Sequence, residues 1–385
     1  MRPSLAVNAL VAVLVGFGGT LALIVAAAQA VGANQAQTAS GVAALCLAMA
    51  GISAFLSVRH RIPIIAAWST PGAALIAGTD GSIGLAAAIG AYLAAGALIL
   101  LTGFVGPLAR AIERLPTPVA AAMLAGVLIR FTIGVFEHLG ADPLLVAPMV
   151  AAFLLLRLAS PAWAVIAVIG LGIALVYGLD RAAPIAGGFQ LSHLTLIAPA
   201  FDPAALLGLA LPLYLVTMAS QNLPGFAVLK GAGYQPPAGS ILRTSGLASV
   251  LIAPLGGLTV NLAAITAAIC TGPDTHPDPA QRWKTGPWYA LFYLILAMFG
   301  ASLVALFAAL PPAFIATVAG LALLAPLIGA LTASLKEEAH RPAAVLTLCV
   351  TASGLSLFGI GSAFWGLATG LAVMGLERAW ARLKA

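Results

Sequence analysis

Residues 62–79, IPIIAAWSTPGAALIAGT, change conformational preference partway along. Ile62, Ile64 and Ile65 are β-branched around Pro63 and favour extended backbone. Thr70-Pro71-Gly72 reads instead as a helix start: Thr supplies a capping oxygen, and Pro at the first helical position lacks only an N–H that would have no intrahelical partner. A short helix, AALIA, then stops at Gly78. In water this would be an ordinary strand and helix. In lipid, non-helical backbone survives only when it is buried in protein or lines a cavity, so in a membrane protein the stretch marks a binding site.

The remainder of the chain puts it in a membrane. Of 385 residues, 62% are hydrophobic and 7% charged, with a mean hydropathy of +1.09, the composition of an all-α polytopic membrane protein. The net charge of +6 comes from basic residues that fall singly or in pairs between apolar runs, which signals orientation rather than a nucleic-acid partner. Cys46, Cys270 and Cys349 lie in or at the end of apolar runs, without metal-ligand spacing or a disulfide framework, and read as packing residues. The first apolar run continues past Ala30, too long for a cleavable signal, and reads as the first span.

Fourteen apolar segments emerge, at residues 5–31, 40–58, 62–79, 82–105, 117–138, 143–157, 161–178, 203–226, 240–254, 256–271, 286–310, 313–334, 343–358 and 362–380, the third and tenth of them broken. With both termini cytoplasmic, fourteen passes leave every Lys and Arg except Arg130 and Arg181 on the inner side, as positive-inside sorting requires. Residues 1–180 and 200–385 then form two seven-span repeats, inverted because seven is odd. A shift of 190 residues sets Ser69–Ala77 against Thr259–Ala267, and a Pro precedes each, at 63 and 254. The second segment, APLGGLTVNLAAITAAICTG, places a hydroxyl and an amide where a cap belongs, followed by about 16 Å of helix to Gly272. The two half-helices would meet N-terminus to N-terminus, a geometry that favours an anion such as a carboxylate without any Lys or Arg.

Four motifs bring a family into view: Gly16-Phe17-Gly18-Gly19-Thr20, Trp68-Ser69-Thr70-Pro71-Gly72, Ala219-Ser220-Gln221-Asn222-Leu223-Pro224-Gly225 and Thr259-Val260-Asn261-Leu262. With them the chain resembles the benzoate transporter family (BenE) over essentially its full length. More distantly it is similar to the fold shared by uracil permease and the sulfate and anion transporters. The resemblance implies a core domain of spans 1–4 and 8–11, a gate domain of spans 5–7 and 12–14, and proton-coupled uptake of benzoate or a related aromatic carboxylate by alternating access. It also implies an inner-membrane location and no cofactor. Gln221 falls where the uracil permease has an acidic residue, and Asn261 at or beside its second acidic position. Neither is ionisable here, which suits an anionic substrate, since a carboxylate there would repel it, but leaves no obvious proton carrier.

The expected substrate contacts are Phe17, Gly18, Ser69, Thr70, Pro71, Gly72, Gln221, Asn222, Gly225, Thr259, Val260, Asn261 and Leu262. Each has a plainer reading. Thr70 and Asn261 serve equally as caps, Gln221 and Asn222 as interhelical glue, and Phe17 as either an aromatic wall or core packing. Arg130 lies deep in the fifth span, where a charge costs at least ~2.5 kcal/mol. The preferred reading pairs it with Glu137 two turns along the same face; the alternative puts Arg130, Glu137 and His138 in an outer gate or proton path. Arg59-His60-Arg61 reads as a topology anchor, the polar loop 272–286 as a solvated cytoplasmic loop rather than a metal site, and Gly366 with Gly370 as helix packing, although a homodimer stays open.

The rivals are a carrier or channel for another small anion or a nucleobase on the same fold. The missing acids weigh against nucleobases, and a chain running only to Ala385 weighs against the larger anion transporters with their cytoplasmic domain. An enzyme is not expected: there is no G-x-S-x-G, no H-E-x-x-H and no paired intramembrane carboxylate.

Overall fold

A computed structural model describes residues 2–18, 20–79, 81, 83–106, 116–159, 161–183, 190–358 and 360–384. Gly19, Asp80, Arg110 and Arg114 lie outside them. Seven helices among these residues are long and apolar enough to cross a bilayer, eight if the pair Pro312–Ala322 and Leu324–Ser334, bent by 43°, counts as one span. Shorter apolar helices cover Pro143–Leu158 and Ala164–Gly178. The chain is thus a mostly helical polytopic membrane protein.

Two short antiparallel strands cross the middle of the helices, β1 (Ala66–Trp68) and β2 (Val260–Leu262), paired Ala66 to Leu262, Ala67 to Asn261 and Trp68 to Val260. A two-stranded ribbon inside an apolar bundle must find partners for its outer edges as well. Side chains of the flanking helices provide them. Ser53 Oγ accepts from Ala66 N (2.9 Å), Ser249 Oγ from Val260 N (3.0 Å) and Asn222 Oδ1 from Leu262 N (2.9 Å), while Tyr289 OH donates to the Ala66 carbonyl (3.0 Å). Polar side chains buried in these helices therefore hold the ribbon in place.

Each strand runs into a short helix, Thr70–Ala77 after β1 and Ile265–Thr271 after β2. Three expectations about these turns need correction. Ser69, not Thr70, is the cap: its Oγ accepts from Gly72 N (3.1 Å), and Thr70 is already helical. Thr259 and Asn261 cap nothing, because β2 and Ala263-Ala264 intervene and the second helix begins only at Ile265. That helix has 7 residues, about 10 Å rather than 16 Å. The strands begin at 66 and 260, an offset of 194, so the alignment at 190 matched Ala pairs rather than structure. Gly256, at φ +86°, makes the left-handed turn that sends the chain from helix Ala238–Ile252 and the turn Ala253–Leu255 toward β2.

Around the ribbon, Gln35–His60 packs along Thr285–Ala308, and Leu85–Phe104 along Ala238–Ile252. Thr117–Ala141 packs against Arg341–Ala352, Leu324–Ser334 and Pro312–Ala322, with Ser362–Lys384 behind. Gly366 and Gly370 lie inside this second group, where added Cβ atoms would come within 2.0 Å of Thr351 Oγ1 and 2.1 Å of Thr347 Oγ1. They are helix packing, as read from the sequence.

Among the described residues, three π-helical turns interrupt the long helices, at Leu14–Gly18, Leu206–Ala210 and Met218–Asn222. A π turn widens the backbone locally and re-aims its side chains, and such turns recur at functional sites.

Candidate functional site

The starts of the two short helices meet at one cavity. Its volume is about 120 Å³, and its wall takes Thr70 and Pro71 from the first helix and Ala264, Ile265 and Thr266 from the second. Val15, Gly16, Thr20, Trp68, Gln221 and Tyr293 complete the sides, with Met49, Leu323 and Pro326. At about 10–15 Å³ per water-sized sphere, the space suits one aromatic ring bearing one small polar group.

Two of the π turns border it: Val15 and Gly16 belong to the first, Gln221 to the third. The first is tied to β1 through a chain of donors, in which Trp68 Nε1 donates to Thr20 Oγ1 (2.7 Å) and Thr20 Oγ1 to the Gly16 carbonyl (2.6 Å). Phe17 stands behind this wall, its ring 5.4 Å from Trp68 and 6.4 Å from Tyr293. Its role here is to brace two aromatic residues that do reach the cavity.

The two helix starts are finished differently. Behind the first, Thr217 Oγ1 lies 2.9 Å from Ser69 Oγ and 3.0 Å from Thr259 Oγ1, a fully buried hydroxyl cluster holding the cap. At the second, Ala264 occupies the cap position and makes no side-chain hydrogen bond. The leading N–H groups of Ile265–Thr271, which have no intrahelical acceptor, therefore begin at the cavity wall without a side-chain cap.

Of the residues expected in contact with substrate, the structure brings Thr70, Pro71 and Gln221 to the cavity. Ser69, Asn222, Thr259, Val260, Asn261 and Leu262 are buried behind it and build the ribbon and caps. Gly72 and Gly225 are close-packing points, since a Cβ would sit 2.5 Å from Leu213 Cδ1 at the first and 2.8 Å from the Ala263 carbonyl at the second. Gly18 is not among the lining residues. Thr266 and Tyr293 are single polar residues in apolar runs, and nothing in the sequence marks them out.

A larger space of about 660 Å³ continues from this cavity, sharing Pro71, Gln221, Ala264, Ile265 and Pro326. It runs between Thr117, Ala120 and Leu124 on one side and Leu223, Pro224 and Ala227 on the other, toward Ala333. Neither space has an Asp, Glu, His, Lys or Arg among its described lining residues.

The Arg130–Glu137 ion pair is not formed: ion pairs among the described residues are Arg181–Asp142, His340–Glu337 and Arg341–Glu338. Residues seven apart on a helix share a face, but here both side chains are exposed and do not meet, and Arg130 also lines a separate cavity. His138 Nδ1 lies 2.8 Å from the Gly134 carbonyl of its own helix. The loop 272–286 also differs from a simply solvated loop. Arg282 is 8% exposed and donates to the carbonyls of Thr271 (2.7 Å), His276 (2.7 Å) and Pro277 (3.4 Å), closing the C-terminal end of the second short helix. Among the described residues no group of three metal-ligating side chains occurs.

Solved structures show the same architecture. The transmembrane domain of a cyanobacterium bicarbonate transporter, BicA, matches with a TM-score of 0.60 at 15% identity, covering 96% of this chain and 97% of that one. SLC26A9 matches with a TM-score of 0.65 at 12% identity, over 97% of this chain and 65% of its own. The chain therefore shares its polytopic membrane fold with these two proteins. A family model described as "Benzoate membrane transport protein" matches residues 1–376, and the chain belongs to that family of membrane transporters. It is 43% identical over 359 residues to inner membrane protein YdcO of Escherichia coli, spanning 93% of this chain and 92% of that protein. It is 36% identical over 360 residues to the benzoate membrane transport protein of Acinetobacter baylyi, spanning 94% and 91%.

Proposed function

We propose that the protein is a secondary transporter that takes up benzoate or a closely related aromatic carboxylate together with protons, by alternating access. The observation that carries this reading is the central cavity itself. It is sized for one ring, walled by Trp68, Tyr293 and aliphatic side chains, and bordered at one end by two helix starts and by Thr70, Gln221 and Thr266. The ring packs on the aromatic wall, where offset or edge contacts add about 0.5–1.5 kcal/mol. The carboxylate faces the helix starts, whose partial positive charge attracts it without the desolvation cost of a buried cation.

In the same reading the chain crosses the membrane fourteen times, as two inverted repeats over residues 1–180 and 200–385. Spans 1–4 and 8–11 form the core that carries the ribbon, spans 5–7 and 12–14 form the gate, and both termini are cytoplasmic. The 660 Å³ space supports an inward-facing state. Ala227 and Ala333, both in its wall, lie just before Lys230 and Lys336, on the side that positive-inside sorting assigns to the cytoplasm. Thr70, Pro71 and Gln221 are the proposed direct contacts from the sequence reading, joined by Thr20, Trp68, Thr266 and Tyr293. Glu137 and His138, outside both spaces, remain proposed parts of an outer proton path.

Uptake of labelled benzoate into proteoliposomes under an imposed inward proton gradient tests this. Accumulation above the external concentration, abolished by a protonophore and reduced by Q221A, is expected. No accumulation, or equal competition by uracil or bicarbonate, would overturn it in favour of another cargo or a passive pore.

A further inference from the structure

We propose that the cavity at Arg130 is a second anion site, which collects the carboxylate of the transported acid on the side of the protein opposite the inward-facing space. The assignment of side and cargo rests on the function proposed above; the existence of the site does not. Arg130 projects from helix Thr117–Ala141 into a space of about 110 Å³, bounded by Leu75, Gly78 and Thr79 at the C-terminal end of the first short helix and by Gly354, Ser356 and Ser362 across from it. No acidic side chain is among the described residues of its wall.

Arg282 shows what a structural arginine looks like in this fold. It sits at the end of the other short helix, 8% exposed, with three backbone carbonyls as acceptors. Arg130 occupies the corresponding place beside the first short helix but makes no hydrogen bond or ion pair among the described residues. A guanidinium presents five N–H donors in a planar fork suited to a carboxylate, and a cation within a membrane span is retained where it has a partner or a function.

The wall is shaped around that fork. Gly354 has φ +71°, and a Cβ there would stand 3.0 Å from Arg130 Nη1, so the chain approaches the guanidinium with no side chain between. Thr79 and Ser362 give their hydroxyl hydrogens to the carbonyls of Ile76 (2.7 Å) and Thr351 (2.9 Å), so the wall's remaining side-chain donors are Arg130, the only charged one among its described residues, and the hydroxyls of Ser356 and Thr351. The first short helix has 8 residues, about 12 Å. Its start faces the central cavity and its end faces Arg130, so an anion released at one site is a single helix length from the other.

The test has two arms, on the full-length protein. In detergent, the rise in Tm caused by benzoate or bicarbonate is compared with that caused by neutral benzamide, in wild type, R130Q and R130K. We expect R130Q to remove at least half of the anion-dependent rise, R130K to restore part of it, and the benzamide response to be the same in all three. An anion response unchanged in R130Q overturns the site. This arm holds whichever acid is carried, so failure of benzoate uptake by the wild type would sink the proposed cargo without touching it. In proteoliposomes of known orientation, R130Q should raise the half-saturating benzoate concentration tenfold or more at the outer face and less than twofold at the inner face. An equal rise at both faces, or a loss of ligand-free Tm in both R130Q and R130K with no change in saturation, would make Arg130 a structural residue and overturn the proposal.

Discussion

The two short helices begin alike, each following a strand of the same ribbon, yet they are completed in opposite ways. At Thr70 the protein satisfies the start from within: Ser69 caps it, and Thr217 and Thr259 hold the cap. At Ile265 it supplies Ala264 and no side-chain cap. The first start is thus a rigid wall and the second is the side with donors to spare. Two helix starts on one ribbon need not be used alike, and a neutral site can favour an anion by leaving only one helix end unfinished.

Substitutions that disturb one start and spare the other separate these roles. The largest effect is expected from W68A, which removes a side chain 2% exposed, its bond to Thr20 and its contact with Phe17. Loss of a buried aromatic of this size costs about 3–5 kcal/mol, so denaturation profiles should show a large drop in Tm and transport assays no uptake. N222A strands the Leu262 N–H that Asn222 accepts, a loss of about 1–3 kcal/mol. It should lower Tm clearly, whereas its neighbour Q221A should weaken benzoate binding with little change in Tm.

A264S gives the second start the cap that the first already has. Calorimetry should find benzoate affinity about tenfold weaker, ~1.4 kcal/mol, in a protein as stable as the wild type or slightly more so. S69A does the converse at the first start. It should cost about 1 kcal/mol of stability and leave affinity within about twofold. The smallest expected effect is of pH. With no ionisable carboxyl, imidazole or amine among the described residues of the central wall, no site group changes charge near neutrality, so benzoate affinity should be flat from about pH 6 to 8. A slope in binding would place a titrating group at the site, whereas a slope in transport rate alone would place it elsewhere.

The first broken segment is legible in the sequence because Ile62–Ile65 and Pro71 state their preferences locally, and the structure departs there by placing the strand at Ala66–Trp68, just past the Ile residues, and by moving the cap from Thr70 to Ser69. The second is not. Asn261-Leu262-Ala263-Ala264 reads as helix by composition, but pairing with β1 and the Asn222 bond to Leu262 N hold Asn261 and Leu262 extended, which displaces the helix to Ile265. The same long-range pairing turns Thr259, Asn261 and Asn222 from expected ligand contacts into supports. Tyr293 and Thr266 reach the cavity through helix orientation, and the π turns at Leu14 and Met218 through side-chain packing, neither of which leaves a local mark. Arg130 announces itself by its charge, but its partner cannot be read from spacing: Glu137 has the right helical phase and still forms no ion pair with it.

Equilibrium binding of benzoate and of benzamide to the purified protein, in wild type and Q221A, tests most directly whether an uncharged cavity at the helix starts selects an aromatic anion. The two ligands share a ring and differ in charge. Wild type should bind benzoate at least tenfold more tightly than benzamide, with Q221A reducing that preference. Equal binding of the two, or a preference untouched by Q221A, would contradict the account.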